Sequence, residues 1–260
     1  MNDTAERWDG EAGHYQKTFK LGGSDYNARL MDFLARECGL RPGCRVIDIG
    51  CGVGRYGVYF ARMGCDVTLT DISPAMLEYA GKNLAETGGK WRAIAGDWGD
   101  ISLERPEFSQ KFDLAVSTMS PAVHDDKTVG KMIAVTDGWC FISRFYKWRA
   151  PLTSALCRAL ELPEKAPMRN MEEDCGEMIR AVSAAGYPPL VTYQDYNWQD
   201  MRTPRECAQR FVSRYFEGAA DEKMFEQALS ATEKMADENG LVKDSVDTKT
   251  AWIYWNTRAR

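Results

Sequence analysis

Val46-Ile47-Asp48-Ile49-Gly50-Cys51-Gly52-Val53-Gly54 is the stretch that decides how the chain is read. Val46, Ile47 and Ile49 make a short β-branched run suited to a parallel strand buried on both faces. Gly50, Gly52 and Gly54 follow at once, letting the backbone turn tightly and leaving room for a ligand where a Cβ would collide. A helix is expected from Arg55 to about Met63, its first amides aimed at whatever lies above the strand tip. A second run, Asp66 to Thr70, leads to Asp71, a carboxylate placed to hold two vicinal ribose hydroxyls. The unit reads as a nucleoside-binding β-α-β.

Two nucleosides compete for it. Gly52, Gly54 and Gly57 satisfy the spacing G-x-G-x-x-G, and Asp71 stands near the distance at which NAD enzymes carry a ribose acid. Asp48 argues the other way. It sits at the strand tip, two residues before the first glycine, where a carboxylate repels a pyrophosphate and favours an ammonium or a sulfonium. S-adenosylmethionine has both cations and no phosphate.

With those residues in hand, D-I-G-C-G-V-G (48–54), D-I-S-P-A-M-L (71–77) and G-D-W (96–98) resemble the class I S-adenosylmethionine-dependent methyltransferases. The likeness covers roughly Trp8 to Arg144 and is of the small-molecule type. It implies that Asp48, Gly50, Cys51, Gly52 and Gly54 cradle the methionine part of the cofactor. Asp71, with Ile72 and Met76 behind it, would hold the ribose. Gly96, Asp97 and Trp98 would read the adenine, Asp97 by a hydrogen bond and Trp98 by apolar cover. W-D-G-E-A-G-H-Y, Trp8 to Tyr15, resembles the W-D-x-x-A-x-x-Y segment of many such enzymes, where the tyrosine comes over the cofactor from a mobile arm; packing of Trp8 and Tyr15 onto the core is the alternative. Gly10, Gly13, Gly22 and Gly23 would let that arm bend.

The resemblance implies an open, Rossmann-like α/β sheet of seven strands with helices on both faces and a helical insertion before the last strand. Residues 1–43 would form a helical arm or cap, 44–144 the cofactor-binding core, 145–200 the second half of the sheet, 201–245 the insertion and 246–260 the last strand. Local signals agree. A helix from Asn27 to about Cys38 stops at Gly39, and Ser73 caps a helix with Pro74 at its first position. Trp91 to Ala95, Phe112 to Val116, Trp139 to Ser143, Leu190 to Trp198 and Ala251 to Trp255 read as further strands. A proline-studded stretch carries Pro151, Pro163 and Pro167, and Asn170 with Glu173 reads as a helix start. Thr203-Pro204 with Glu206 opens one inserted helix and Asp221 a second.

The loop after the fourth strand, beginning Ser117-Thr118-Met119, would face the methyl group in this family. Methyl transfer from a sulfonium is an in-line displacement, so a general base is optional. His124 and Tyr15 are the candidate bases, with His14 behind them; a solvent-facing turn residue ahead of Asp125 and Asp126 is the other reading of His124. Ser120-Pro121-Ala122 departs from the N-P-P-Y type signature of nucleobase amine methylation: it begins three residues late, lacks one proline and has no aromatic to stack on a base. Arg144 to Arg149, R-F-Y-K-W-R, suits an anionic or RNA ligand or a snorkelling amphipathic edge.

The 260 residues carry a net charge of −5, against the basic footprint that nucleic-acid binding needs. No run has the length of a membrane span and no signal-peptide layout opens the sequence, so a cytoplasmic location is expected. Eight cysteines contain no C-x-x-C pair and only two histidines accompany them, so neither a metal nor a disulfide framework is expected. A metalloid held by three thiols, as in arsenite methyltransferases of the same family, would need cysteines that the spacing does not bring together. The expected acceptor is a small molecule; RNA or protein acceptors, or a non-catalytic cofactor-binding module, are the alternatives, and a monomer or homodimer is equally compatible.

Overall fold

The computed structural model describes residues 4–19, 25–164, 170–216 and 222–259. Gly22, Gly23, Pro167 and Asp221, to which the sequence assigns bends and a helix start, lie outside them. The chain divides into two compact units: Met1–Arg144 with Glu173–Tyr193 and Ala251–Arg260, and Phe145–Glu172 with Gln194–Thr250.

The first unit opens with α1 (Ala5–Lys17) and α2 (Asp25–Glu37). Then β1 (Arg45–Ile49), α3 (Arg55–Arg62), β2 (Asp66–Asp71), α4 (Pro74–Ala85) and β3 (Lys90–Ala95) alternate, followed by β4 (Phe112–Thr118) and α5 (Asp126–Ala134). Next come β5 (Thr136–Arg149), α6 (Pro151–Ala159), α7 (Met171–Ala184), β6 (Leu190–Asp195) and β7 (Trp198–Arg202). The chain closes with α8 (Pro204–Tyr215), α9 (Glu222–Glu233) and β8 (Val242–Asn256). The sheet runs β3-β2-β1-β4-β5-β8-β6, with β7 paired to β8 off that path. This is the Rossmann-like α/β class expected, with one strand more than the seven among the described residues.

Pairing is parallel from β3 to β5, and the register sorts the faces. Asp48 lies opposite Leu69 and Val116, and Val116 opposite Phe141, so these four side chains share one face. On that face a Cβ at Gly57 of α3 would come within 2.7 Å of Leu69. Phe33 of α2 packs 6.0 Å from Phe141 and 4.8 Å from Trp252. The Trp252 indole donates to the Tyr26 hydroxyl at 2.8 Å, satisfying a polar tip inside an aromatic core. Ser73 caps α4 as expected, accepting from Met76 N at 3.0 Å.

The arm segment is a helix. The Ala12 side chain of α1 is buried with Val53 and Met76, and Trp8, Phe19, Ala75 and Tyr79 pack around them. Thr4 caps this helix.

Two strands outrun their sequence signals and a third expected strand breaks in two. β5 continues through R-F-Y-K-W-R, β8 begins nine residues before the expected Ala251, and the run from Leu190 to Trp198 breaks into β6 and β7. Within the second unit β7 pairs antiparallel with the start of β8, Trp198 opposite Val246 and Arg202 opposite Val242. The insertion is therefore part strand. Its helices bury Ala208, Phe211, Tyr215 and Ala228 with Leu156 and Cys157 of α6. Thr203 and Glu206 form the capping box of α8. Arg149 pairs with Asp247 at 2.8 Å, and Phe145, Trp148, Tyr196 and Trp198 stand in edge and stacked contacts. The basic-aromatic run is thus a strand that carries ion pairs, Lys147 lying 3.4 Å from Glu172.

Among the described residues no helix is long and apolar enough to cross a membrane. Seven cysteine side chains are buried and Cys51 is half-buried. Burial pushes the Cys65 thiol up to about 11 and that of Cys140 to about 12, which keeps both protonated and unreactive at neutral pH.

Candidate functional site

Everything converges on the carboxyl ends of β1, β2 and β4, where an open α/β sheet leaves its crevice. Gly50 N and Cys51 N both donate to Thr70 O, at 2.8 and 3.0 Å, which folds the turn back onto β2. Asp71, at the tip of β2, then takes two backbone donors. Gly52 N donates to its Oδ2 at 2.8 Å and Ser73 N to its Oδ1 at 2.9 Å. Each oxygen keeps a further lone pair, the capacity needed to accept one hydroxyl apiece from a vicinal diol. Burial raises the Asp71 carboxyl from its ordinary range, and the Ser73 and Gly52 amides pull it back.

Asp48 is 2 % exposed and its Oδ2 finds no hydrogen-bond partner in the chain. A buried carboxylate oxygen without a partner is costly, and a donor or cation from outside the chain would relieve it. Burial first, and then the charge of Asp71, push its carboxyl up to about 7. Two acids therefore flank the glycine turn, one hydrogen-bonded and one poised near neutrality.

The three glycines of the turn are not equivalent. All have positive φ. A Cβ on Gly50 would overlap Ser120 Oγ and lie 2.8 Å from Ala122 Cβ; one on Gly54 would lie 2.9 Å from Ala80 Cβ and Leu84 Cδ1. A Cβ on Gly52 would meet nothing within 4 Å. Of the three only Gly52 faces open space, so packing alone already requires glycine at positions 50 and 54. Gly50→Ala is expected to lower the melting temperature by many degrees, through overpacking that costs about 1–3 kcal/mol and left-handed strain of about 1–2 kcal/mol. Gly52→Ala should bear the strain alone yet lose nucleoside affinity. Thermal melts and calorimetry on both variants check the contrast.

The loop after β4 lies over the same turn through Ser120 and Ala122. Ser117 is fully buried with its hydroxyl unpartnered, and Thr118 is nearly so. Met119 adopts φ 52°, rare for a side chain of its size, and its amide donates to Ser143 O at 3.1 Å. His124 stands just before Asp125, the N-cap of α5. Its Nδ1 lies 3.1 Å from Pro121 O, so in the neutral ring the proton sits on Nδ1 and Nε2 is left to accept. Asp125 caps α5 beside it in a box with Thr128.

Gly96, Asp97 and Trp98 follow β3 at the same sheet edge, Gly96 N donating to Asp71 O at 2.9 Å. Asp97 is exposed and accepts from Gly99 N at 2.7 Å. The Trp98 ring is 2 % exposed, with its indole N–H donated to Thr128 O at 3.0 Å and Lys131 above it. Its face is spent on α5 and is not free to cover an adenine, which corrects the expected role. Ile72, next to Asp71, is half-buried, and Met76 is buried in the Ala12 cluster.

Tyr15 is 41 % exposed and stands edge-on to Trp8 at 6.2 Å. Three residues that sequence reasoning left without roles gather around the glycine turn and Asp71: Asp9, Ser120 and Asn83. Asp9 stands inside the W-D-x-x-A-x-x-Y segment, the one signal that pointed to it. Among the described residues no group of three or more metal-ligating side chains is assembled.

Residues 46–136 match a family described as "Methyltransferase domain". Magnesium-protoporphyrin O-methyltransferase of Rhodobacter capsulatus is 37 % identical over 82 residues, 31 % of this chain and 37 % of that protein. Ribosomal RNA small subunit methyltransferase C of Alcanivorax borkumensis is 33 % identical over 89 residues, 34 % of this chain and 27 % of that protein. The chain thus matches only about a third of the length of such relatives. Among solved structures, a putative methyltransferase from Bacillus halodurans superposes with a TM-score of 0.52 at 15 % identity, covering 90 % of this chain and 99 % of that one. That likeness concerns the fold.

Proposed function

We propose that this chain, whose residues 46–136 match the methyltransferase-domain family, is an enzyme that transfers the methyl group of S-adenosylmethionine to a small-molecule acceptor. The observation that carries the reading is the pair of acids about an open Gly52: Asp71 with lone pairs for two ribose hydroxyls, and Asp48 with a buried, partnerless oxygen. When bound, the cofactor supplies a methyl already activated by its sulfonium.

The chain's own part is to bind, orient and exclude water. Asp71 fixes the ribose, Asp48 offers negative charge to the cationic end, and Asp97 stands where the adenine amino group would be read. Cys51, Ser117, Thr118 and Met119 border the methionine side in this reading. His124, its proton held on Nδ1 by Pro121 O, presents Nε2 for an acceptor's proton where the acceptor needs one removed. Tyr15 and the arm serve as cover in the same scheme.

The acidic net charge of −5 favours a small acceptor over RNA, while the ribosomal RNA relative keeps RNA as the second reading. Incubation with methyl-labelled S-adenosylmethionine and a fractionated extract separates them. Label is expected in the small-molecule fraction. Label in RNA or protein would overturn the acceptor class, and tight cofactor binding with no labelled product in any fraction would favour a binding module.

A further inference from the structure

We propose that Asp9 of α1 is a positioning residue for the ribose acid Asp71, so that docking of the N-terminal helix and grip on the ribose are one coupled event. The inference rests on the reading of Asp71 given above and adds a residue and a linkage to it.

Asp71 is held by two backbone donors, Gly52 N and Ser73 N, from different segments. α1 reaches both segments. On the Ser73 side, Asp9 Oδ1 accepts from the Ser73 hydroxyl at 2.5 Å and from Ala75 N at 3.0 Å. Ala75 N is one of the amides that the start of α4 leaves without an intrahelical acceptor, so Asp9 closes that end from outside. The Ser73 hydroxyl and the Ala75 amide hold the Asp9 carboxyl below its ordinary range, and it is ionised at neutral pH. On the Gly52 side, Gln16 of α1 exchanges two hydrogen bonds with Asn83, at 3.0 and 2.9 Å. The same Asn83 amide donates to Val53 O at 2.9 Å. Between these two anchors Ala12 buries against Val53 and Met76.

The geometry is a relay of single atoms. Moving α1 off α4 takes the acceptor from the Ser73 hydroxyl and the Ala75 amide, and so loosens the turn whose amide fixes Asp71 Oδ1. The other Asp71 oxygen is loosened through Val53, the neighbour of Gly52. A helix that merely covered α4 would need Ala12 and Trp8 but no carboxylate at position 9. By the same linkage, a bound ribose that steadies Asp71 steadies the arm, since coupling between two sites is reciprocal.

The test uses the full chain, with calorimetric affinities for S-adenosylhomocysteine and for its 2′,3′-dideoxy counterpart, which lacks the hydroxyls Asp71 would hold. Asp9 is exposed, so its substitution leaves the core intact. Asp9→Ala is expected to weaken S-adenosylhomocysteine binding about tenfold, the scale of one hydrogen-bonded link to a charged group, while leaving the dideoxy ligand unchanged. Asp9→Asn keeps an acceptor oxygen and should stay within about threefold of wild type. Unchanged affinity for both ligands in Asp9→Ala would reduce Asp9 to a helix cap and overturn the relay. Equal weakening of both ligands would overturn it as well, as loss of the whole site. A wild-type chain that binds neither ligand would overturn the S-adenosylmethionine reading itself, an outcome distinct from the other two.

Discussion

Asp71→Ala is expected to weaken S-adenosylhomocysteine binding by about a hundredfold or more. A hydrogen bond to a charged group is worth roughly 1.5–3 kcal/mol, and this carboxylate has free lone pairs for two hydroxyls. The loss has a second source inside the protein. Gly52 N and Ser73 N, now 2.8 and 2.9 Å from the carboxylate oxygens, would both lose their acceptor, so the glycine turn and the start of α4 would loosen together. A fall in melting temperature should therefore accompany the lost affinity. Asp71→Asn separates the two effects, since it keeps one acceptor oxygen and the side-chain shape. It should melt nearer to wild type while still binding weakly. Calorimetry and thermal melts on the two variants give both readouts. Unchanged affinity in Asp71→Ala, or tight NAD binding by the wild type, would sink the ribose assignment.

Asp48→Asn should have opposite effects on stability and on binding, both dependent on pH. The folded state holds this carboxyl at about 7 against an ordinary 3.8, because burial and the Asp71 charge oppose ionisation. The folded chain thus keeps a proton that the unfolded chain gives up. The stability this provides is fully present below pH 3.8 and is lost as pH rises through about 7. Asparagine stays neutral throughout, so the variant should overtake wild type in stability as pH rises from 5 to 8, by at most about 4 kcal/mol at the upper end, and its melting temperature should rise above that of wild type accordingly. Binding runs the other way. A cationic ligand needs the ionised carboxylate, so wild-type affinity for S-adenosylmethionine should fall about tenfold from pH 8 to pH 6, while the variant binds weakly and without that slope. A wild type whose affinity is flat over this range would remove Asp48 from the cation's partners.

Much of the cofactor half is written locally. Val46, Ile47 and Ile49 can only be satisfied as a buried strand, the positive-φ glycines force the turn, and Ser73-Pro74 starts the next helix by a side chain reaching its own backbone three residues on. Such features depend on residues within one turn of each other, and sequence carries them whole. The capping box at Thr203 and Glu206 is legible for the same reason.

What the chain could not announce depends on partners distant in sequence. Trp98 follows the expected Asp97, but the direction of its ring is set by Thr128 and Lys131 of α5, thirty residues on, and they turn it inward. That Gly50 also answers to Ser120 and Ala122, seventy residues on, no local pattern shows. R-F-Y-K-W-R reads as a charged edge, because only strand pairing supplies Asp247 and the aromatic neighbours that make it part of the sheet's continuation. Asp9 is a surface acid in sequence and becomes a partner of Ser73 only when α1 docks on α4. Backbone geometry was fixed by local sterics and capping. The assignment of each side chain to core, crevice or relay was fixed by burial against residues that no local pattern identifies.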